Sequence, residues 1–271
     1  MKRVLVIGDG CKDIFQYGKC ERLSPEAPVP VFKPLQAKYN GGMAMNVYAN
    51  LMALGVDCNI ITDSGITKTR FVDETSNQML IRIDENDEIK RINSEDLEAI
   101  GFNEYDAIVI SDYNKGFLSK SDIFYISNKH HTVFLDTKKD IQSWCGDIFC
   151  IKINNKEYLE NKIWIDNEFR NIVVVTLGDK GAMYSHRGKK IKEHIIPITE
   201  EHPVRDLTGA GDTFLASLVA KYLENEDIEE AIEFANKCSS WTVTQKGVAV
   251  VSGVFRVYLV IMLKILMAVV V

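Results

Sequence analysis

From Asp106 onward, short apolar runs alternate with segments of helical period, and this alternation constrains the fold more than any other feature of the sequence. The runs DAIVIS, TVFLD, IFCIKI and NIVVVTLG have the length and content of buried strands. Strands that alternate with helices pair in parallel, and the helices cover both faces of the sheet. The sequence therefore predicts an α/β fold whose ligand lies beyond the carboxyl ends of the strands. The helical segments are Ser119–Lys129, Asn154–Asn161, Gly211–Leu223 and Ile228–Val243, and a hairpin is expected over Gly181–Ser185 and Lys190–Ile196.

The part of the chain before Asp106 mixes strand and helix signals. A small-residue helix is predicted over Gly42–Leu54, because Gly55 follows it as a favourable helix-ending residue. The segment SPEAPVPVFKP is rich in proline, which donates no backbone hydrogen bond, so it suits a sheet edge or a lid. Strands are predicted at Arg3–Ile7, Val29–Phe32, Cys58–Thr62, Thr69–Asp73 and Met79–Ile83.

Charge and cysteine usage exclude several classes of function. A net charge of −6 over 271 residues does not suggest a nucleic-acid groove, so no nucleic-acid partner is expected. The six cysteines are scattered without a CxxC pair and form no ligand spacing with the five histidines, which argues against a zinc site. Scattered thiols in a chain of this length are typical of a reduced, cytoplasmic protein.

The segment Val257–Val271, VYLVIMLKILMAVVV, is almost wholly apolar and allows three interpretations. Counted from Gly247, the apolar character lasts about as long as a membrane span requires, roughly 20 residues. Arg256 and Lys264 interrupt it, and charges inside a bilayer are unfavourable, so membrane association is not expected except through this tail. The alternatives are a final core strand or helix and a sequence end foreign to the fold.

Three phosphate-binding interpretations compete for the glycine-containing segments of the sequence. No GxxxxGK segment followed by Ser or Thr is present, which excludes a P-loop. VIGDGCKD has two of the three glycines of a dinucleotide fingerprint, but Asp13 replaces the third. In DLTGAGDTF, the N–H groups of Gly209, Ala210 and Gly211 would form an anion hole at a helix N-terminus. Asp212 would then be the base of a phosphoryl transfer or, alternatively, a helix-capping residue.

DLTGAGDTF resembles the C-terminal signature of the ribokinase/PfkB family of carbohydrate kinases, and five further segments agree with that family in order. The resemblance implies a ribokinase-like three-layer α/β/α sandwich with a mostly parallel sheet and a small β lid. It also implies that the chain uses ATP and Mg²⁺, binds a sugar, and forms a homodimer through the lid strands. The predicted kinase domain is 1–251, with lid strands at about 14–34 and 67–84 and the tail at 252–271. The further segments are GDGCKD, NGGMAMN, KINNKE, VTLGDKGAMY and FANKCSSWTVTQKG.

The resemblance also implies roles for individual residues. Asp212 would be the catalytic base beside the hole formed by Gly209, Ala210 and Gly211. Glu157 would hold Mg²⁺ through water, together with Asn154, although the pair also fits a simple helix-capping arrangement. The predicted sugar-binding residues are Asp13, Gly41, Gly42 and Asn46, and the predicted nucleotide-binding residues are Asn154, Glu157, Thr176, Gly178, Gly181, Thr208 and Asn236.

Within the family, RLSPEAPVPVFKP, ITKTRFV, NQMLIRID and SDYNKG are similar to the heptose kinases. The resemblance implies D-glycero-D-manno-heptose 7-phosphate as the substrate, a sugar phosphate of lipopolysaccharide precursor synthesis. Lys68, Arg70 and Arg82 would offer cations to its phosphate from strands next to the lid, although they also fit solvent-facing strand positions. Asp112 and Lys115 follow a strand end, where ligand contacts gather.

The chain departs from the family pattern in two ways, and it lacks one motif of the bifunctional heptose enzymes. Almost nothing separates Thr62 from Thr67, where the family has a turn, a helix and a strand. The apolar tail replaces a polar loop and a final amphipathic helix, and the chain has no His-x-Gly-His nucleotidyltransferase motif. Two alternatives therefore stay open: a kinase of another sugar or nucleoside, and a non-catalytic kinase fold that binds sugar or nucleotide.

Overall fold

A ten-stranded, mostly parallel sheet forms the centre of the protein in the computed structural model, which describes residues 2–169, 171–185, 195–198 and 203–251. The strands are β1 (Arg3–Lys19), β2 (Lys33–Met43), β3 (Asp57–Asp73), β4 (Met79–Glu85), β5 (Ala107–Asp112), β6 (Val133–Thr137), β7 (Cys150–Asn154), β8 (Ile172–Thr176), β9 (Ala182–Ser185) and β10 (Ile195–Ile196). Their spatial order is β10-β9-β8-β7-β6-β5-β1-β3-β4, and β2 pairs with β1 off this path. All pairs from β3 through β1 and β5 to β8 are parallel.

Helices cover both faces of this sheet, as the alternating sequence pattern predicts. Because successive strand residues point to opposite faces, Val4 and Val6 of β1 pack under one helical layer, and Leu5 and Ile7 pack under the other. The three-layer ribokinase-like α/β/α arrangement is confirmed. The first layer contains α1 (Ala44–Ala53), α5 (Ala210–Asn225) and α6 (Ile228–Thr242), and the second contains α2 (Ser94–Glu98), α3 (Lys120–Lys129) and α4 (Asn155–Glu168).

The predicted end of the first strand at Ile7 is wrong, because β1 continues without a turn to Lys19. Gly8 and Gly10 are strand residues that allow close packing. A Cβ at Gly8 would lie 2.0 Å from the carbonyl oxygen of Ser111 on the neighbouring strand, and a Cβ at Gly10 would lie 2.5 Å from Oγ1 of Thr62. The two glycines therefore serve sheet packing here, and their appearance as a turn signal is misleading.

The two predicted strands Cys58–Thr62 and Thr69–Asp73 are parts of the single strand β3. It pairs with β1 from Arg3 opposite Asp57 to Gly18 opposite Asp73, and the register shifts only between Asp9 and Cys11. The short connection near Ser64 is therefore part of a continuous strand, and the helix expected of the family is absent between Asp57 and Asp73.

The outer halves of β1 and β3, together with β2 and β4, form a four-stranded lid. The lid strand predicted at Val29–Phe32 is wrong, since that segment makes only an isolated bridge between Leu23 and Pro30, and β2 begins at Lys33. Prolines at positions 28 and 30 explain this, because neither of them can donate a ladder hydrogen bond. The helix predicted from Gly42 begins instead at Ala44, and Gly41 and Gly42 lie just before the last residue of β2, Met43.

The structure also bears on the predicted fourth helix, the predicted hairpin, the tail and the cysteines. The helix expected over Asn154–Asn161 extends to Glu168, and the hairpin partner of β9 is described only at Ile195–Ile196. In the described ranges no helix is long and apolar enough to cross a bilayer, and the predicted tail at 252–271 lies outside the described residues. All six cysteines lie within the described ranges and are free.

Candidate active site

Asp212 lies in the first turn of α5, almost completely buried at 4% exposure. Its Oδ1 accepts a hydrogen bond from the Tyr113 hydroxyl at 2.7 Å, and its Oδ2 accepts one from Nδ2 of Asn46 at 3.1 Å. Burial raises the pKa of the Asp212 carboxyl to about 6, and these two hydrogen bonds oppose the shift. A carboxyl group with a pKa just below neutrality is suited to general-base chemistry, because it is ionised at pH 7 and can still accept a proton.

The glycine turn before Asp212 leaves backbone donors free. Gly209 has a left-handed backbone conformation (φ 82°), which a residue without a Cβ adopts readily. Among the described residues, no acceptor takes the N–H groups of Gly209, Gly211 or Asp212, whereas the N–H of Ala210 donates to the carbonyl of Leu207 at 3.3 Å. The free donors of a helix N-terminus are therefore present at Gly211 and Asp212, while the Ala210 donor of the predicted hole is already used.

Three charged side chains that the sequence analysis did not single out lie beside this turn. Lys152, at the carboxyl half of β7, forms an ion pair of 2.7 Å with Oδ2 of Asp136 at the end of β6, and both side chains are buried. Oδ1 of Asp136 has no hydrogen-bond partner in the described structure. The ammonium of Lys138 lies 3.8 Å from that oxygen and also pairs with Glu157. Two carboxylates and two ammonium groups thus meet at the carboxyl edge of the sheet.

Asn154 and Glu157 form a complete capping box at the start of α4. The Asn154 side chain accepts from the Glu157 N–H at 2.9 Å, and Glu157 Oε2 accepts from the Asn154 N–H at 2.8 Å. The capping contacts are thus present for both residues, Glu157 in addition pairs with Lys138, and their predicted nucleotide role stays a prediction.

The residues around Glu157 nevertheless fit a hydrated Mg²⁺. The described part of the chain contains no group of three His, Cys, Asp or Glu side chains able to hold a metal. Mg²⁺ does not require one, because it usually keeps several waters and uses one or two carboxylates together with substrate phosphates. Glu157 and the unpartnered oxygen of Asp136 provide such carboxylates.

Asp13 and Arg70 form a buried ion pair on the inner face of the lid. The pair leaves little room, since a Cβ at Gly42 would lie 2.0 Å from Oδ2 of Asp13. A Cβ at Gly41 would meet the Met45 side chain at 2.6 Å. The guanidinium of Arg70 is therefore already committed to a carboxylate, and its immediate role is to hold Asp13 in position next to the glycine pair.

The other two lid cations differ in position. The ammonium of Lys68 lies 5.9 Å from the ring centre of Tyr113, the residue that donates to Asp212, so it faces the candidate site. Arg82 is exposed and pairs with Asp84 at 2.8 Å on its own strand. A phosphate role is thus consistent with the position of Lys68, while Arg82 lies at the lid surface.

Asp112 and Lys115 are engaged in local contacts. The Asp112 carboxylate is 1% exposed and binds Lys139 and Thr137 at 2.5 Å each, and it accepts from the Asn114 N–H at 3.0 Å. Lys115 pairs with Asp87 near the lid. These contacts shape the loop after β5 that carries Tyr113, and the predicted substrate contacts of both residues stay predictions.

The predicted nucleotide-side residues lie around the hairpin of β8 and β9 and the end of the sheet. A Cβ at Gly181 would lie 2.1 Å from the carbonyl oxygen of Ile196, the same carbonyl that the buried Asn236 side chain binds at 2.9 Å. Gly178 is exposed in a left-handed conformation (φ 66°). The other two are Thr176, whose hydroxyl donates to Ile153 at 3.4 Å, and Thr208, whose N–H donates to Asp206 at 2.9 Å.

Comparison with known proteins shows similarity to a family of kinases. The model of the pfkB family carbohydrate kinases matches residues 137–252, which include the ends of β6 and β7 and the glycine turn. The bifunctional protein HldE of Helicobacter pylori strain J99 is 33% identical over 306 residues, which cover 93% of this chain and 65% of that protein. This match to the pfkB carbohydrate kinases confirms the resemblance that the sequence predicted.

A further relative and two solved structures agree with this similarity and with the observed fold. HldE of a Nitratiruptor species is 29% identical over 296 residues, covering 91% of this chain and 62% of that protein. Ribokinase from Thermotoga maritima aligns with a TM-score of 0.69 at 17% identity, covering 92% of this chain and 95% of that one. Arabidopsis thaliana ribokinase, solved with ribose and ATP, aligns with a TM-score of 0.66 at 16% identity, covering 91% and 94%.

The share of each relative that is covered and the length of the match are both informative about segments that the chain lacks. The chain spans about two thirds of the HldE proteins that it matches, 65% in the first case. That match extends over 306 positions although the chain has 271 residues, so the relative contains residues that this chain lacks. This agrees with the segment that the sequence analysis found missing near Ser64, where the structure has the continuous strand β3.

Proposed function

We propose that the protein transfers the γ-phosphate of ATP to a sugar hydroxyl, with Asp212 as the general base. The observation that carries the proposal is the combination of a buried carboxylate, whose pKa is raised to about 6, with free N–H groups in the same helical turn. Asp212 would take the proton of the attacking hydroxyl, while the N–H groups of Gly211 and Asp212 would stabilise charge on the moving phosphoryl group. Mg²⁺, when bound near Glu157, would neutralise charge on the ATP phosphates.

The sugar-side residues would orient the acceptor. Asp13, fixed by Arg70 and close to Gly42, would accept hydrogen bonds from sugar hydroxyls. Asn46 binds the base directly and so links the sugar site to the catalytic carboxylate. This arrangement would hold one hydroxyl against Asp212 and exclude water, which limits wasteful hydrolysis of ATP.

The acceptor that we propose is the C1 hydroxyl of D-glycero-D-manno-heptose 7-phosphate. The resemblance to heptose kinases in four segments and the similarity to HldE proteins over 93% of the chain support this choice. Lys68 supplies a cation next to the candidate site that suits a phosphorylated sugar.

A coupled assay of ADP release over phosphorylated heptoses, hexoses and nucleosides tests the proposal. We expect turnover with a phosphoheptose and a loss of several orders of magnitude in the Asp212→Asn variant, with ATP affinity preserved. Asp147→Asn, which removes an exposed carboxylate before the amino end of β7, away from the carboxyl edge where the site residues lie, is the matched control and should retain full turnover. Turnover of another sugar alone would establish a different substrate, and nucleotide binding without any turnover would establish a non-catalytic kinase fold.

We also propose that two copies associate through the outer face of the lid. Tyr39, Ile81 and Ile83 are exposed there, at 73%, 54% and 43%, which is unusual for large apolar side chains on one small sheet. Tyr39 pairs in register with Ile14 of β1, Ile14 with Thr69 of β3, and Thr69 with Ile83 of β4, so the apolar side chains form a row across the sheet. A second copy of the chain that covers this row would shield the exposed apolar side chains from nonspecific association with other proteins.

A further inference from the structure

Lys152 lies directly against the first turn of α5. If Gly211 had a Cβ, that atom would lie 3.2 Å from the Nζ of Lys152, which is tighter than an ordinary side-chain contact. The missing side chain of Gly211 thus makes room for an ammonium group beside the free N–H groups of Gly211 and Asp212. The lysine comes from β7, a different part of the chain from the glycine turn itself.

The ion pair of Lys152 does not account for all of its hydrogen-bonding groups. Lys152 is 4% exposed, and of its three N–H donors only the one to Asp136 has a described acceptor. A buried ammonium is unfavourable unless its donors are satisfied, because its desolvation is expensive. The remaining donors therefore favour an additional anionic partner at this position.

We propose that Lys152 binds the phosphoryl group during its transfer, so that the cation absent from the glycine turn is supplied by the neighbouring strand. This inference rests on the proposed kinase function and assigns one residue of its mechanism. A helix N-terminus carries about half an elementary charge, whereas an ammonium carries a full one, as a point charge suited to phosphate. Asp136 holds Lys152 in place, and Gly211 allows its approach.

The test uses the variant Asp136→Asn/Lys152→Met, because Lys152→Met alone would leave a buried carboxylate without its cation and could fail to fold. Calorimetry compares the binding of ADP with that of the non-hydrolysable ATP analogue AMP-PCP. Removing a cation from the γ-phosphate should weaken AMP-PCP binding about tenfold and leave ADP binding within about twofold. In turnover assays, kcat should fall by a factor of about 10²–10³, because the variant loses one hydrogen-bond donor to the transition state. The KM for the sugar should remain nearly unchanged.

A second ion pair provides the matched control. Arg91 and Asp122 also form a side-chain pair, but at the start of α3, and the variant Arg91→Met/Asp122→Asn should keep the kcat and the AMP-PCP to ADP affinity ratio of the parent protein. Lys152→Arg, which keeps the charge, should recover part of the lost affinity for AMP-PCP.

The outcomes separate this inference from the proposed function. An unchanged affinity ratio and an unchanged kcat in the Asp136→Asn/Lys152→Met variant would show that Lys152 is only a partner of Asp136 and would overturn the inference. If the parent protein phosphorylates no sugar, the proposed function fails, yet the affinity ratio still reports whether Lys152 binds the terminal phosphate.

Discussion

The hydroxyl of Tyr113 tunes Asp212, and its removal gives a quantitative prediction. The substitution Tyr113→Phe keeps the ring and removes a 2.7 Å hydrogen bond to Oδ1 of Asp212. A hydrogen bond to a charged group contributes about 1.5–3 kcal/mol, and about 1.4 kcal/mol corresponds to one pKa unit. The pKa of Asp212, about 6 in the parent protein, should therefore rise by about 1–2 units, because the ionised form loses a donor.

The consequence is a pH-dependent loss of activity. In the parent protein the base is about nine-tenths ionised at pH 7, whereas in Tyr113→Phe it would be between about one-half and one-tenth ionised. The acid limb of kcat/KM should move from near pH 6 to between about 7 and 8, with a deficit of about two- to tenfold at pH 7 that disappears near pH 9. Initial rates of ADP release measured across this pH range give the profile directly.

The matched control is Tyr105→Phe, which removes a hydroxyl bonded at 3.4 Å to Asn59, away from the glycine turn. Its acid limb should coincide with that of the parent protein. A Tyr113→Phe variant with an unshifted acid limb, or with the same deficit at every pH, would refute the idea that Tyr113 acts by stabilising the ionised base.

Three further predictions address stability, the sugar site and assembly. Because burial raises the pKa of Asp212, its ionisation opposes folding fully above about pH 6 and not below about pH 4. Asp212→Asn should therefore increase the free energy of unfolding at pH 8 by about 3 kcal/mol, with a higher unfolding temperature, and lose this advantage at pH 4. Differential scanning calorimetry at both pH values checks the sign. Arg70→Ala should raise KM about equally for phosphorylated and unphosphorylated sugars, because Arg70 holds Asp13, and a larger effect on phosphosugars would instead support a phosphate clamp. Ile81→Asp should convert a dimer to a monomer in analytical ultracentrifugation, and an unchanged sedimentation coefficient would argue against the lid interface.

The regular half of the fold was predictable because its signals are local. The strands β5 to β8 are short apolar runs separated by helical segments, and the structure places them where the sequence predicted. The long strands β1 and β3 were not predictable as single elements, since glycines at positions 8, 10 and 65 look like turns in the sequence. Only the neighbouring atoms, such as the Ser111 carbonyl against Gly8, show why glycine is needed within a strand.

The sequence motifs of the candidate site were predictable, but the side chains that contact those motifs were not. Asn46 is far from Gly209 and Asp212 in the sequence, yet its side chain donates hydrogen bonds to both in the structure. The hydroxyl of Tyr113 and the ammonium of Lys152 were missed, although both lie within quoted segments. A single tyrosine or lysine at a strand end has no distinctive spacing, so only its position relative to the glycine turn reveals its role.

The continuity of β1 and β3 determines how the lid can move. Each strand has 17 residues, which corresponds to roughly 55 Å at about 3.3 Å per residue, and each belongs to both the central sheet and the lid. No loop separates the two parts along these strands, so the lid cannot swing on a flexible hinge there, and closure must bend or twist two hydrogen-bonded strands together. The register shift between Asp9 and Cys11 interrupts the hydrogen-bonded ladder of β1 and β3, so bending of the two strands should concentrate there.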